Sequence, residues 1–406
     1  MASGGVCLLR KEILTRYEGC DFSPLRVRVL HPLTVSAMTV RGEAGKTLLM
    51  VGPASFQLLE GEASVLGAPL DAGRNLVTRG KQTPIEIHSS SSFRVWLGQD
   101  GGVEELNGST IPRSWREAAS ALNELGEGTA IVVGGADAGK TTLCTFLANF
   151  LIREDRRVAV VDADIGQTDL GPPTTMAAGE VTRQVVSLSQ VSPSERIFIG
   201  LTSPGRVKGK VIHGVKRLVG RHAKPGRLVI VNTDGWVAGS EAVAYKAQML
   251  DDLKPDVTLG IGSGDSTPEI LQAGKRVALL VGSPDIIKER TRVDRRDLRA
   301  LGYQKYLTGS SLKVFRMNGV RLWDALSSEA LNVRRLSRSQ LDKLTDAIVG
   351  FLDSDDFLQE IGVLKKITPS AMTVTAWSRI ADTPSKIEVG GVRLDSNGRE
   401  LSYPQR

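Results

Sequence analysis

The chain is 406 residues long, 41% hydrophobic and 24% charged, a mix that excludes wholesale disorder and, by length, predicts two to four domains. Lys and Arg number 52 against 45 Asp and Glu, a net charge of +7, which tolerates a polyanionic partner without identifying one. Cys7, Cys20 and Cys144 are far apart among only four histidines, so neither a disulfide framework nor a zinc site is legible.

Residues 1–112 read as β-rich. Apolar runs at Leu25–Leu30, Thr47–Val51 and Ser92–Leu97 are separated by Gly, Pro and Asp turns and lack a helical period. Phe56–Gly67 reads as two short strands around a turn, and the polar stretch Gly101–Pro112 as a linker. The rhythm changes over residues 113–310. Ser114–Leu125 has helical spacing, with Ser114 as N-cap and Glu117 completing a capping box. Strand-like runs follow at Ala130–Val133, Val158–Val161, Ile197–Ile199, Leu228–Val231, Val257–Ile261 and Val277–Val281. Continuous apolar runs alternating with helical stretches predict a parallel sheet covered by helices, hence an α/β fold. From Ser311 the pattern is mixed, with alternation at Lys386–Val389 and a turn at Ser396–Gly398, so 311–406 is expected to be a small, β-containing C-terminal domain. No stretch approaches the roughly 18 apolar residues of a membrane helix, and Val6–Leu9 is too short for a signal peptide core. The expectation is a cytosolic protein, nuclear if eukaryotic, with no membrane partner.

Gly134-Gly135-Ala136-Asp137-Ala138-Gly139-Lys140-Thr141 fits the phosphate-binding pattern G-x-x-x-x-G-K-[ST], after a strand and before the helical Thr142–Ile152. Glycines let backbone N–H groups turn inward around phosphate oxygens, and the helix N-terminus adds positive potential. Lys140 would reach the β- and γ-phosphates and Thr141 would bind Mg²⁺. The dimerising ATPases carry a signature lysine early in this loop, where Gly135 stands. The next strand ends in Asp162-Ala163-Asp164-Ile165-Gly166-Gln167. Two carboxylates one residue apart point to one face of a strand. One can position Mg²⁺ or its water, and the other can accept a hydroxyl proton. A pair that only organises metal-bound water is the alternative.

Trp236 follows Asp234-Gly235 at a strand end, where an indole can stack on a base of any identity; core packing is the bland alternative. Lys288–Arg299 holds five arginines, and helical spacing puts Arg295 and Arg299 on one face. Glu289, Asp294 and Asp297 could simply pair with them.

Taken in order, Gly134–Thr142, Asp162–Gln167, Thr202–Gly205, Val231–Val237 and Arg290–Arg299 make the chain resemble the polynucleotide 5′-hydroxyl kinases of RNA processing. That family includes the kinase subunit of eukaryotic pre-mRNA cleavage and tRNA-splicing complexes, rRNA-processing relatives and archaeal counterparts. The likeness extends to the N-terminal β region and to Lys386–Asp395; order and spacing carry it more than any motif after the P-loop. It implies ATP phosphates in the loop Gly134–Thr142 and Asp164 activating the nucleic acid 5′-OH. It gives Gln167 a part in holding the acceptor strand. Thr202, Ser203 and Gly205 become a clasp on its backbone, although Arg206-Val207-Lys208 departs from the polar amide of eukaryotic relatives. Trp236 would stack on the terminal base, and Arg295 and Arg299 would form a lid over the transferred phosphate. The N-terminal domain is implied to close over the adenine.

The function expected is therefore Mg²⁺- and ATP-dependent phosphorylation of the 5′-OH end of RNA, with no motif separating RNA from DNA, alongside RNA-processing protein partners. One competitor is an ATP-binding scaffold whose activity has decayed, against which Asp164 and the lid arginines stand. Another is a P-loop GTPase or metallochaperone. It would need an Asn/Thr-Lys-x-Asp motif or a Cys/His cluster, and neither is evident.

Overall fold

Buried and more exposed residues alternate along Ala54–Glu60 and Ser91–Leu97, so these strands bury one face. The computed structural model describes residues 37–78, 82–262, 266–274, 277–286 and 289–401. The expectations on Cys7, Cys20, Val6–Leu9, Leu25–Leu30 and Lys288 lie outside the described residues. The N-terminal region comprises β1 (Met38–Gly42), β2 (Lys46–Val51), β3 (Ala54–Glu60), β4 (Ala63–Val65), β5 (Ala68–Pro69), β6 (Asn75–Thr78), β7 (Gln82–Ile87), β8 (Ser91–Leu97) and β9 (Gly102–Asn107). They form two sheets, β1-β8-β3-β6 and β5-β4-β7-β2-β9. Two expectations change here. The stretch expected as a linker contains β9, antiparallel to β2; no residue of this edge strand is fully buried, so backbone pairing and not apolar alternation holds it. The strands β3 and β4 flank the turn at Gly61 as expected, but they belong to different sheets.

The central region runs α1 (Arg113–Leu125), β10 (Gly128–Gly134), α2 (Lys140–Arg153), β11 (Arg157–Ala163), β12 (Thr175–Val181), β13 (Glu195–Phe198), α3 (Lys208–His222), β14 (Arg227–Thr233), α4 (Ser240–Leu253), β15 (Val257–Ile261), α5 (Thr267–Ala273), β16 (Val277–Val281) and α6 (Arg292–Leu307). Its sheet has the order β13-β12-β11-β14-β10-β15-β16. The pairs from β11 to β16 are parallel, as the apolar runs predict. By contrast, β12 and β13 run antiparallel at one edge. One face packs on α1, α2 and the N-terminal sheets through Leu122, Leu147, Val160 and Phe56, the other on α3 and α4 through Val215, Met249 and Val231. Ser114 does not cap α1: the helix starts at Arg113 without a side-chain cap. The Ser114 hydroxyl instead accepts the Gly282 N–H at 3.0 Å, 168 residues away, a contact invisible to local spacing.

The C-terminal region adds β17 (Ser311–Arg316), β18 (Arg321–Asp324), β19 (Glu329–Ala330), α7 (Arg338–Leu344), β20 (Ala347–Leu352), β21 (Leu358–Thr368), β22 (Thr373–Ser378) and β23 (Lys386–Arg393), in the sheet β17-β22-β21-β20-β23-β18-β19. The alternation read at Lys386–Val389 does not expose a polar face. All but the last residue of β23 are buried, because Lys386 pairs with Asp356 and Glu388, and Glu388 with Lys210. Gly391 N–H donates to Gly200 O at 2.8 Å, joining this sheet to the end of β13. An α/β P-loop sheet flanked by β-rich and mixed regions is thus the observed architecture.

Candidate active site

The strand β10 feeds a loop that closes at Gly139, and α2 begins at Lys140. Parallel strands on both sides of β10 place this loop at the carboxyl edge of the sheet, where ligands collect in open α/β folds. Lys140 is buried, and its ammonium donates to Gly135 O at 2.6 Å. Burial lowers its pKa from the ordinary lysine value, opposed by the attraction of Asp164. Ala136 lies beneath the turn after β14: a Cβ on Gly235 would sit 2.7 Å from Ala136 Cα, so only glycine lets the two loops approach. Thr141 and Thr142, half-buried, open α2.

The two aspartates of the strand motif have different surroundings. Asp162 lies within β11 and is fully buried. Its Oδ1 accepts Asn232 Nδ2 at 3.0 Å and Asp164 N at 3.3 Å; its Oδ2 accepts Thr168 Oγ1, Asp169 N and Leu170 N at 3.0, 2.6 and 3.3 Å. Burial, with Asp169 and Asp164 adding repulsion, pushes its carboxyl up to about 6. Asp164 lies just past the strand and is half-buried. Its Oδ1 accepts the Gly166 and Gln167 N–H groups at 3.1 and 3.0 Å, while Oδ2 has no hydrogen-bond partner among the described residues. Burial raises its pKa above the ordinary carboxylate value, Lys140 opposing and Asp234 reinforcing. Asn232 completes the cluster: Nδ2 also donates to Thr141 Oγ1 at 3.2 Å, and its Oδ1 is a buried acceptor without a partner.

The segment expected to be the clasp lies next to this turn. A Cβ on Gly166 would stand 2.8 Å from Thr202 O, so the Asp164–Gln167 turn and Thr202 touch backbone to backbone. Ser203 is exposed and Gly205 half-buried; a Cβ on Gly205 would meet the Trp236 ring at 4.0 Å. Trp236 is half-buried, stacked on Tyr245 with ring centroids 5.7 Å apart, and the Lys208 ammonium lies 6.0 Å from its ring centre. Its loop is held by Asp234, which accepts Trp236 N, Tyr245 hydroxyl and the fully buried Lys246 ammonium at 3.0, 2.9 and 2.9 Å. Asn232 and Asp234 lie within the motif already singled out. Lys246, on the next helix, carries no local signal that could have found it.

The arginine-rich helix begins later than its charges. Thr291 caps α6 in a capping box with Asp294, leaving Arg290 ahead of the helix. Asp137, in the P-loop, accepts Arg295 Nη2 at 2.6 Å and Arg290 N at 3.0 Å. Gln167 Nε2 donates to Arg295 O at 3.2 Å. The structure thus gathers Arg295, Asp137, Gln167 and Asp164 around the loop. Arg299 turns elsewhere: it forms a two-pronged pair with the buried Glu400 at 2.6 and 2.8 Å.

A parallel sheet, a phosphate loop between β10 and α2, an acidic strand end beside it and an arginine helix tied to that loop define a P-loop nucleotide-binding protein of kinase-like build. Residues 134–309 match the model of the mRNA cleavage and polyadenylation factor CLP1 P-loop family, the family that the motifs resemble. The chain is 25% identical over 341 residues to a polyribonucleotide 5′-hydroxyl-kinase of Pyrococcus horikoshii, covering 73% of this chain and 94% of that one. A polyribonucleotide 5′-hydroxyl-kinase of Methanocaldococcus jannaschii is 27% identical over 345 residues, covering 73% and 95%. The Danio rerio polyribonucleotide 5′-hydroxyl-kinase Clp1 is 27% identical over 287 residues, covering 63% and 62%. Among solved structures, Clp1p in the wild-type Clp1p–Pcf11p complex shares the fold with a TM-score of 0.70 at 13% identity, over 88% of this chain and 98% of that one.

Proposed function

We propose that this protein is a polynucleotide 5′-hydroxyl kinase that transfers the γ-phosphate of ATP to the 5′-OH end of RNA. The observation that carries the reading is the contrast between the two aspartates. Asp162 has both oxygens engaged by five donors, so it orders the loop. Asp164 is fixed through one oxygen, leaving the other to take a hydroxyl proton, and its raised pKa improves it as a base. The names of the archaeal relatives, matched over most of their length, support the same chemistry.

In this reading Gly134, Gly135, Ala136, Asp137, Ala138, Gly139, Thr141 and Thr142 cradle the phosphates, and Lys140 leaves Gly135 O for the β- and γ-oxygens. The unpartnered Asn232 Oδ1 beside Thr141 and Asp162 is an all-oxygen setting suited to a hydrated hard cation. Thr141 would hold Mg²⁺ there, with Asp162 and Asn232 toward its waters, and the ion would neutralise phosphate charge. Gln167, Thr202, Ser203, Gly205 and Trp236 form the acceptor side, and Arg295 neutralises charge on the moving phosphoryl group. Arg299 is held by Glu400 and would join it only on exchanging that carboxylate for phosphate. The fold's likeness to Clp1p in a complex with Pcf11p supports a protein partner as well.

The test is incubation with γ-labelled ATP and a 5′-OH oligoribonucleotide. Label on the oligonucleotide, lost in a folded Lys140→Ala variant, is the expected result. Label released only as inorganic phosphate would make the protein a generic ATPase, and no transfer at all a scaffold.

A further inference from the structure

Cations near the site are mostly paired: Lys208 with Glu241, Lys210 with Glu388, Arg299 with Glu400. One group differs. Arg321, Arg334, Arg335 and Arg338 are all exposed, and none forms an ion pair among the described residues. The backbone gathers them. The β18–β19 hairpin pairs Trp323 with Ala330, and Leu331 N–H donates to Leu322 O at 2.8 Å. That extension sets Arg321 opposite Asn332, whose side chain caps the turn containing Arg334 and Arg335. Arg338 then opens α7, capped by Ser337. Neither 306–323 nor 330–341 contains a single Asp or Glu, so the four arginines outnumber the bordering carboxylates of Asp324, Glu329 and Asp342, none of which pairs with them among the described residues.

Its place relative to the cleft matters as much as its charge. The turn of the same hairpin reaches the root of the clasp: Lys210, in the first turn of α3, donates to Ala325 O at 3.3 Å, and Leu326 packs in the apolar cluster containing Leu201, next to Thr202. From Asp324 back to Arg321 the strand covers about 10 Å at its usual rise. The hairpin therefore leads from the clasp to four unpaired guanidinium groups, whose planar forks fit phosphate oxygens two at a time.

We propose that these four arginines are a second polynucleotide site, gripping the phosphodiester backbone of single-stranded RNA downstream of the end being phosphorylated. The proposal rests on the kinase reading above and extends it: the cleft would hold the first nucleotides and the hairpin arginines the body of the strand. A strand too short to leave the clasp would not feel them.

The test compares a 5′-OH trinucleotide with a twenty-nucleotide RNA as acceptors for the full-length protein and for the variant R321A/R334A/R335A/R338A, with thermal melting as the check on folding. The expected result is an unchanged trinucleotide KM, an unchanged kcat, and a rise of about tenfold or more in KM for the long RNA. Each single-strand phosphate contact adds about 0.7 to the slope of log affinity against log salt, so the slope should fall by about 3 in the variant. The corresponding all-lysine variant should recover only part of the affinity, since it restores the charge but not the two-pronged contacts. An equal KM for the long RNA in parent and quadruple-alanine variant overturns the proposal, including the case where the patch serves an acidic protein. If the parent transfers phosphate to no RNA, the kinase reading fails. Fluorescence anisotropy with a 5′-phosphorylated twenty-nucleotide RNA then tests the patch alone: equal affinity of parent and variant rejects it, and weaker binding by the variant supports it.

Discussion

Asp164 and Trp236 are the residues on which the proposed chemistry turns. Asn in place of Asp164 keeps the shape but cannot take a proton. We therefore expect kcat to fall by about 10²–10⁴ with ATP affinity retained. The pH dependence has a definite sign. Burial raises the Asp164 pKa above the ordinary 3.8, so the base is protonated, and the rate lost, at a higher pH than for a solvated carboxylate. The parent should show an acid limb in kcat inflecting above that value, and Asp164→Asn should flatten it. Equal turnover with collapsed ATP affinity would instead make Asp164 a nucleotide or metal residue. For Trp236→Ala, lost base stacking should cost about 1–3 kcal/mol in oligonucleotide kcat/KM, whichever base comes first. The indole also stacks on Tyr245, a ring pair worth about 0.5–1.5 kcal/mol, so a small drop in Tm is expected too. A drop in Tm with unchanged oligonucleotide kinetics would assign Trp236 to packing alone.

At the scale of elements, α6 carries two arginines of one face to different ends. Arg295 pairs with Asp137 of the phosphate loop, and Arg299 with Glu400 beyond β23. Removing Arg295 leaves Asp137 still held by the Arg290 N–H and guanidinium, so the change should cost less stability than stranding an unpaired carboxylate. If it serves as an arginine finger, kcat should fall by about 10³ or more. Arg299→Ala strands a buried carboxylate, which typically costs about 3–5 kcal/mol, so its first effect should be on Tm. Measuring kcat and Tm for both variants separates the roles. Parental melting with a kcat loss equal to that of Arg295→Ala would show that Arg299 works at the phosphate.

At the scale of the whole molecule, the C-terminal sheet is part of the core around the site. Phe198 and Tyr303 are buried against Ile348, Leu352 and Val392, and burying each such aromatic is worth about 1.5–3 kcal/mol. Ending the chain after Ser310 would expose both, unpair Lys210, and leave Arg299 without Glu400. That truncation should yield aggregated protein or one without a cooperative thermal transition. A soluble truncation melting like the parent would show the central region to be self-sufficient.

The phosphate loop, the strand-end aspartates and the positions of the parallel central strands were legible locally. Glycine spacing, paired carboxylates and continuous apolar runs depend on backbone geometry over a few residues. The resemblance of the motifs then named the family matched by residues 134–309. What local pattern could not carry was contact across long separations. The antiparallel β12 and β13, the Ser114 bond to Gly282, the pairing of Arg299 with Glu400 and the burial of Lys246 against Asp234 each join residues that only the folded chain brings together. The difference in hydrogen bonding between Asp162 and Asp164 belongs to the same class. Two identical side chains on one short motif differ because the fold saturates one with donors and leaves an oxygen of the other without one. Sequence determined which residues stand at the phosphate loop; tertiary structure decided which carboxylate oxygen is left without a donor, because desolvation and hydrogen-bond saturation arise only when distant segments pack.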